Sequence, residues 1–323
     1  MIPDQGAEDR KDTTNNMEII GLDIGGTNIK TGLARNGKIL FLRSLPTRAF
    51  VSGDSVVNQV MNAVEPWAGR AQAIGIGSAG IIDSRLGVIK YSPNLGWYNL
   101  PLARILSGKF HKPVRILNDV NAVLLGEWRY GAARGFDDVF LFTLGTGVGG
   151  AAICAGKMVF GANGFAGEFG HATINFNGPR CVCGNRGCLE SYVGTKFILR
   201  RARQLIKESP SRLRRYDQLT PKIIADEAKK GDRVSREIFE EIGRYLGIGI
   251  GNLLNLFDPA LIVISGGISR AGKVLFQPIH QAIGKTAFGS GVRQFRITAG
   301  RLGDRAGILG AAYFATLKRI ENR

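Results

Sequence analysis

The sequence predicts an α/β protein in two halves. Apolar runs that indicate buried strands alternate with stretches whose apolar spacing indicates helices. In each half one strand leads into a glycine-rich turn, at Gly25-Gly26 in the first half and at 145–150 in the second. The 323 residues suffice for two domains with a large buried core, so we expect each half to form its own domain.

Apolar runs in the first half predict strands at 18–24, 28–34, 38–47, 71–80 and 114–117, and helices at 55–67 and 122–130. The glycine pair is followed by a strand and not by a helix. That order argues against a dinucleotide-binding turn and a Walker loop, since both need a helix N-terminus next. Asn36-Gly37 predicts a tight hairpin turn after the second strand.

The second half is predicted to contain strands at 138–143, 151–155 and 260–265, and helices near 191–208, 221–230 and 233–256. Thr220 and Pro221 are typical of an N-cap and a first helical residue. Asp258-Pro259 should end the long helix. A last helix at 306–320 is expected to return to the first half. We therefore expect a disordered extension at 1–17, an N-terminal α/β domain at 18–132 joined by the last helix, and a C-terminal α/β domain at 133–305.

Composition indicates a globular cytosolic protein. With 44% hydrophobic and 21% charged residues, the chain is ordinary for a soluble domain. No apolar run approaches the ~20 residues of a membrane helix, and the polar N-terminus lacks a signal-peptide core, so we expect no membrane partner and a cytoplasmic location. The net charge of +17 favours anionic partners, either a polyanion or phosphorylated small molecules. The densest basic run of the chain, 200–215, is interpreted as a solvated helix face and the loop after it.

Three glycine-rich strand ends are candidate phosphate or nucleotide contacts. They comprise Asp23, Gly25, Gly26 and Thr27; Gly145, Thr146 and Gly147; and Gly266 and Gly267. Glycines let backbone N–H groups approach an oxyanion, a threonine hydroxyl can donate to phosphate, and an aspartate can hold Mg²⁺. Each could also be only a tight turn at a sheet edge. Because one such turn lies in each half, a nucleotide is expected to bind between two domains.

Asn118 and Asp119 follow a short strand and precede a helix. Asp119 can be the N-cap of that helix, or it can be a general base that takes a proton from a substrate hydroxyl. Asn118 adds a hydrogen-bonding side chain suited to a hydroxylated ligand. The residues alone leave cap and base equally open.

A cysteine-rich stretch contains Cys181, Cys183 and Cys188, and His171 precedes it. In a reducing cytosol a metal is favoured over a disulfide, and a Cys181–Cys183 bridge would need a strained ring. One imidazole and three thiolates match the four ligands of tetrahedral Zn²⁺ and leave no position for a reactive water, so such a site would be structural. Cys154 lies in an apolar strand and is expected to be an ordinary buried thiol.

Eight motifs, taken in order along the chain, resemble those of the ROK family (repressor, open reading frame, kinase). They are GLDIGGTNIKTGLA, GIGSAGIID, SPNLGW, NDVNAVLLGE, TLGTGVGG, GFAGEFGH, CVCGNRGCLE and ISGGIS, and they cover about residues 18–312. Two residues depart from the family's usual pattern: Ala79 stands where proline is usual, and Ala151 where a third glycine is common. Neither change removes a functional group.

The resemblance implies an actin-like, ribonuclease-H-like ATPase fold, with two α/β domains and the active site in the cleft between them. It also implies a kinase that transfers the γ-phosphoryl of ATP, with Mg²⁺, to a hexose. Glucose is the expected substrate and its 6-hydroxyl the expected acceptor. Kinases for mannose, fructose, allose and N-acetylmannosamine share the motifs and remain alternatives.

The same resemblance assigns roles to individual residues. Asp119 matches the family's catalytic base. Residues that match those binding sugar hydroxyls are Asn94, Asn118, Glu168, His171 and Glu190. Residues that match the zinc ligands are His171, Cys181, Cys183 and Cys188. The three glycine-rich strand ends match the family's phosphate and adenosine contacts. Loss of zinc is therefore expected to weaken sugar binding and to leave nucleotide binding largely intact.

Two other functions fit the family. ROK repressors share this core, but only seventeen residues, several of them acidic, precede the first strand, so we expect no DNA partner. Polyphosphate is an alternative donor that would suit the +17 charge, although the family's polyphosphate-using branch tends to lack the cysteine cluster. A homodimer or a larger homo-oligomer is expected, since dimers are common in the family and closed symmetry is the default.

Overall fold

The computed structural model describes residues 16–47 and 53–317, and it confirms the predicted α/β class. The helices are α1 (Gly53–Val64), α2 (Leu102–Phe110), α3 (Asp119–Tyr130), α4 (Glu190–Val193), α5 (Thr195–Glu208), α6 (Pro221–Lys229), α7 (Arg233–Phe257), α8 (Lys273–Thr286) and α9 (Ala306–Thr316). Within the described residues, no helix is both long enough and apolar enough to span a membrane.

The strands are β1 (Ile19–Ile24), β2 (Asn28–Arg35), β3 (Lys38–Pro46), β4 (Ala73–Ser78), β5 (Ile81–Asp83), β6 (Val88–Ser92), β7 (Trp97–Leu100), β8 (Val114–Asn118), β9 (Val139–Leu144), β10 (Val148–Cys154), β11 (Lys157–Met158), β12 (Leu261–Ser265) and β13 (Arg296–Ala299). They form two five-stranded sheets, ordered β3-β2-β1-β4-β8 and β11-β10-β9-β12-β13, and the small antiparallel sheet β5-β6-β7.

The chain divides into two compact units. The first contains the described residues up to Asp137, the segment Ile153–Ala166 and the described residues from Arg301 onward. The second contains Asp138–Ala152 and Gly167–Gly300.

In the first unit, three parallel strands end at one edge of the sheet. β1 pairs with β4, and β4 pairs with β8, all in parallel. The register places Ile24 opposite Ser78 and Ser78 opposite Asn118. The residues that follow these three strands therefore begin side by side, which is where open α/β sheets usually bind ligands.

Side-chain alternation along β1 and β4 gives the first unit's sheet two different faces. One face carries buried Ile20, Leu22, Ile74 and Ile76 and packs with residues of α1 and α2 in one apolar core. On the other face the glycines Gly21 and Gly75 leave no room for a Cβ, because carbonyl groups of α9 lie directly against them.

In the second unit, β9, β12 and β13 are parallel, and Thr143 of β9 pairs with Ser265 of β12. The strands β9 and β12 are almost entirely buried, as expected for parallel strands covered on two faces. Since β9 and β12 end together, the glycine-rich turns that follow them also start side by side.

Most predicted elements are confirmed to within a few residues, including the strand that follows the first glycine pair. The predicted cap of α6 is also confirmed, since Thr220 Oγ1 accepts from Ile223 N at 3.2 Å and Pro221 is the first helical residue. The predicted extension falls largely on residues outside the described ranges, as do residues 318–320 of the last predicted helix.

Several boundaries differ from the prediction. The helix predicted from 122 begins at Asp119, the helix predicted at 191–208 is divided at Gly194, and the helix predicted at 55–67 ends in a 3₁₀ turn at Glu65–Trp67. The prediction also lacked α2, α8, β13 and the β5-β6-β7 sheet. α8 contains Pro278 inside the helix, and this residue usually argues against one.

Candidate active site

Residues predicted to act on substrate lie at the edge of the first unit's sheet where β1, β4 and β8 end. Gly25 follows β1, Asp119 follows β8, and Ala79 follows β4 between them. Backbone hydrogen bonds fix these turns to one another, since Ala79 N donates to Ile24 O at 3.1 Å. Asn118 Nδ2 donates to Gly80 O at 3.1 Å.

The N-cap of α3 is Asn118, so the alternative that Asp119 serves as the cap is wrong. Asn118 Oδ1 accepts from Val120 N at 2.8 Å and from Asn121 N at 3.3 Å. Asp119 is the first residue of the helix, and its Oδ1 accepts from Val120 N at 3.0 Å. Gly77 of β4 lets the first turn of α3 lie close to the sheet, because a Cβ there would be 2.9 Å from Ala122 Cβ.

The first glycine-rich turn is a tight hairpin, as its turn interpretation predicted. Gly25 N donates to Asn28 O at 3.0 Å, and Thr47 Oγ1 donates to Gly25 O at 2.8 Å. Gly26 and Thr27 are exposed. A Cβ at Gly26 would lie 3.3 Å from Asn94 Cβ, so Asn94, a predicted sugar ligand, is beside this turn.

Asp23 is half-buried in β1, just before the glycine pair. Burial raises the pKa of its carboxyl above the ordinary range, Lys30 opposes the shift, and Asp304 adds to it. Lys30 is the cross-strand neighbour of Asp23 on β2. A carboxylate that is costly to ionise in the free protein is well suited to a cation, because the cation would restore its charge.

The second unit places the other two glycine-rich turns next to each other. Gly145 and Gly267 have open space where a Cβ would stand, and Thr146 is exposed. Gly266 has φ +88°, and a Cβ there would overlap the carbonyl of Leu144. The turns after β9 and β12 thus present accessible backbone at one edge of the sheet, an arrangement that can receive phosphate and nucleoside groups.

The turn after β9 has two side-chain partners. Glu190 Oε2 accepts from Val148 N at 2.9 Å. Thr195 Oγ1 donates to Gly145 O at 2.6 Å. Glu190 was predicted only as a sugar ligand, and Thr195 was not predicted as a site residue. The bond from Thr195 joins residues 50 positions apart, and no local sequence pattern indicates it.

Four predicted metal ligands come together in the second unit. The ligand atoms of His171, Cys181, Cys183 and Cys188 all lie within 4.8 Å of one another. Cys181 Sγ is 3.7 Å from His171 Nδ1, and Cys183 Sγ is 3.6 Å from Cys188 Sγ. These separations fit tetrahedral Zn²⁺, whose bonds to nitrogen and sulfur are about 2.0–2.3 Å long. All three thiols are free, so no disulfide competes.

The thiols titrate differently without a cation. Burial opposes ionisation of Cys181, but hydrogen bonds from the Cys183 backbone, Ser191, Cys183 and His171 lower its pKa to about 7. Burial raises the pKa of Cys188 to about 12, together with its contacts to the other two thiols. Several thiolates at such close range repel one another, so their joint ionisation requires a metal ion.

The remaining predicted sugar ligands flank this cluster. Glu168 is exposed, and its carbonyl accepts from His171 N at 3.0 Å. Leu189 N donates to Ala172 O at 3.0 Å, which holds the segment carrying His171 beside the segment carrying Glu190. His171 directs Nδ1 toward Cys181, so a metal bound through Nδ1 leaves Nε2 for another partner.

The fold and these sites define an α/β protein with glycine-rich turns at strand ends in each unit, a carboxylate directly after a strand of the first unit and a cluster of four residues in the second unit that could hold a metal. The chain belongs to the ROK family, whose family model matches residues 19–318. This confirms the resemblance carried by the eight motifs.

Individual relatives include both enzymes and regulators. The chain is 35% identical over 305 residues to a glucokinase of Thermotoga maritima, covering 92% of this chain and 96% of that protein. It is 33% identical to a xylose repressor of Caldicellulosiruptor bescii, covering 90% of this chain and 76% of the repressor. A ROK family glucokinase from Streptomyces griseus, solved with glucose and AMPPNP, has a TM-score of 0.81 at 34% identity, covering 92% and 98% of the two chains. These matches confirm the expected fold class.

Proposed function

We propose that this protein phosphorylates glucose at its 6-hydroxyl with ATP. The glucokinase relatives support this proposal because each match covers nearly all of both chains. The observation that carries it is the pair of glycine-rich turns after β9 and β12, which can receive a nucleotide, in a chain whose half-buried Asp119 directly follows strand β8. The coarser conclusion, an ATP-dependent sugar kinase, does not depend on which hexose is used.

Asp119 is the proposed general base. Its carboxylate accepts the proton of the sugar hydroxyl while that oxygen attacks the γ-phosphorus, and ADP leaves with the electrons of the broken bond. Asn118 uses its oxygen for the α3 cap and one amide hydrogen for Gly80 O, which leaves its second amide hydrogen for a sugar hydroxyl.

The phosphates of ATP are assigned to backbone and hydroxyl groups of the glycine-rich turns after β9 and after β1. Gly145, Thr146 and Gly147 follow β9, and Gly25, Gly26 and Thr27 follow β1. Gly266 and Gly267 would contact the nucleoside. Asp23 is the proposed Mg²⁺ partner, directly or through water. Such preorganised donors stabilise the charge that develops on the transferring phosphoryl group.

Zinc is the proposed metal of the cysteine cluster, since its donor set and separations fit. With all four positions filled by protein side chains, the ion would supply no activated water and would serve to fix the loop. His171 would then present Nε2 in a single tautomer to the sugar, together with Glu168 and Glu190.

A hexose panel tests this proposal. Purified protein is assayed with ATP and Mg²⁺ against glucose, mannose, fructose, allose and N-acetylmannosamine, and product is identified by its phosphate position. Glucose is expected to have the highest kcat/KM. A parallel series with long-chain polyphosphate in place of ATP tests the donor. No turnover with any hexose and either donor would refute the kinase assignment.

Two further proposals concern the setting of the enzyme. We place it in the cytoplasm, where ATP is available and thiols remain reduced. We also propose a homodimer or a higher homo-oligomer, which light scattering on the zinc-loaded protein would show directly.

A further inference from the structure

The turn after β9 is held by a short stretch that follows the cysteine cluster. Gly145 O accepts from both the backbone N and the hydroxyl of Thr195, at 3.1 and 2.6 Å. Glu190 Oε2 accepts from Val148 N at 2.9 Å. Both ends of the turn are therefore bonded to residues of 190–195.

Packing reinforces these bonds. A Cβ at Gly147 would overlap Glu190 Oε2, so the carboxylate occupies the space that a side chain there would fill. A Cβ at Gly194 would lie 3.4 Å from the carbonyl of Thr146. The turn therefore packs against the stretch 190–195, and the contact of Gly147 with the Glu190 carboxylate leaves no room for a side chain at position 147.

The same stretch is joined to the metal ligands. Cys188 is two residues before Glu190, and it forms a β-bridge with Thr173, close to His171 in the chain. Ser191 hydrogen-bonds to Cys181. A shift of the cysteine loop is thus transmitted within a few residues to the turn after β9.

We propose that Glu190 and Thr195 are positioning residues for the nucleotide phosphates, and that Glu190 links the sugar side of the site to the nucleotide side. One carboxylate oxygen holds Val148 N, and the other stays available to a sugar hydroxyl. This inference rests on the proposed function for the identity of both ligands. It also revises the expectation that zinc loss spares nucleotide binding, because the ligands and the turn share one stretch of chain.

Four variants separate the two roles of this stretch. Glu190→Gln keeps an oxygen that can accept from Val148 N but replaces the other oxygen with an amide. Glu190→Ala removes both. Thr195→Val removes only the hydroxyl bond to Gly145 O, and Thr195→Ser, the matched control, restores it.

Each variant is titrated calorimetrically with Mg²⁺-AMPPNP without sugar, and with glucose without nucleotide. Glu190→Gln should weaken glucose binding about tenfold or more and change AMPPNP binding less than about twofold, whereas Glu190→Ala should weaken both about tenfold. Thr195→Val should raise the Kd for AMPPNP about fivefold with glucose binding unchanged, and Thr195→Ser should return it to the original value. In turnover, Thr195→Val should raise the KM for ATP and leave the KM for glucose unchanged.

The proposal is overturned if Glu190→Ala or Thr195→Val binds AMPPNP as tightly as the unmodified protein. It is also overturned if Thr195→Val weakens glucose and AMPPNP equally, which would indicate general loosening of the unit. Zinc content is measured on every variant. If Glu190→Ala does not fold, the Thr195 pair decides the question alone. Failure of the unmodified protein to phosphorylate any hexose would refute the proposed function, whereas the nucleotide titrations test the turn separately.

Discussion

Asn118 and Asp119 are adjacent at the start of α3, but the structure gives them different roles. Asn118 caps the helix and donates to Gly80 O, whereas Asp119 contributes no cap. Asp119→Asn should therefore cost only the favourable charge at the helix N-terminus, about 0.5 kcal/mol of unfolding free energy. Removing a general base should lower kcat by about 10²–10⁴-fold, or about 3–5 kcal/mol in barrier height.

The matched variant Asn118→Ala should show a different balance. It loses the cap, worth about 1 kcal/mol, and the hydrogen bond to Gly80 O, worth about 1 kcal/mol more. Urea unfolding followed by circular dichroism measures stability, and a coupled assay for the sugar phosphate measures kcat. If Asp119→Asn retains kcat within about tenfold, the base assignment is wrong. If Asn118→Ala loses less than about 0.5 kcal/mol of stability, the cap assignment to Asn118 is wrong.

Three further predictions concern stability, metal and pH. Glu127 is fully buried, and its two oxygens accept from Ala132 N and Leu302 N, both at 2.8 Å. Glu127→Gln should therefore lower the unfolding free energy by about 2–4 kcal/mol in urea titrations. A loss below about 0.5 kcal/mol would show that these two bonds contribute little to stability. Removal of zinc by a chelator, or Cys183→Ser, should weaken both glucose and AMPPNP binding. Unchanged affinities after verified metal loss would refute the link between the cysteine cluster and the turn after β9. Metal retention should fall as the pH is lowered, because protons compete for the thiolates. Asp232 caps α7: burial raises its pKa, but hydrogen bonds from Arg212, Ser235 and Ser211 lower it by more, so its pKa lies below the ordinary value of about 4. The contribution of Asp232 to stability is present above that ordinary pKa and is lost as the pH falls through the native pKa. The unfolding free energy should therefore decline below about pH 4 more steeply in the unmodified protein than in Asp232→Asn. Equal slopes in the two proteins would contradict the assigned role of Asp232.

The sequence predicted the buried strands of both sheets because their composition is decisive. Leu261–Ser265 is apolar over nearly its whole length and is fully buried, whereas the four-residue β13 is only partly buried and mixes polar with apolar residues, so it offers no such signal. The helix α2 had a usable pattern, with buried Leu102, Leu106 and Phe110 spaced by four residues. It is only nine residues long, and so short a periodic stretch is a weak helix signal.

The candidate site likewise has some features that the sequence predicted and others that it did not. Motif spacing was enough to group His171 with the three cysteines, since ligands close in sequence are easily brought together. The bond from Val148 N to Glu190 joins residues 42 positions apart, and no local pattern predicts it. The choice between Asn118 and Asp119 as the cap depended on backbone geometry, because either residue type caps helices well.

The position of α9 against β1, β4 and α3 has a consequence for synthesis of the chain. Carbonyls of α9 lie against Gly21, Gly75 and Gly126, and Gly310 in turn lies against Ala122 O. The first unit's sheet strands are complete by residue 118, yet α9 follows about 190 residues later. At about 5–20 residues per second, a ribosome leaves that glycine-lined face uncovered for about 10–40 s. The part of the protein made first is therefore the last to complete its packing, and it is the part most exposed to misassembly while translation continues.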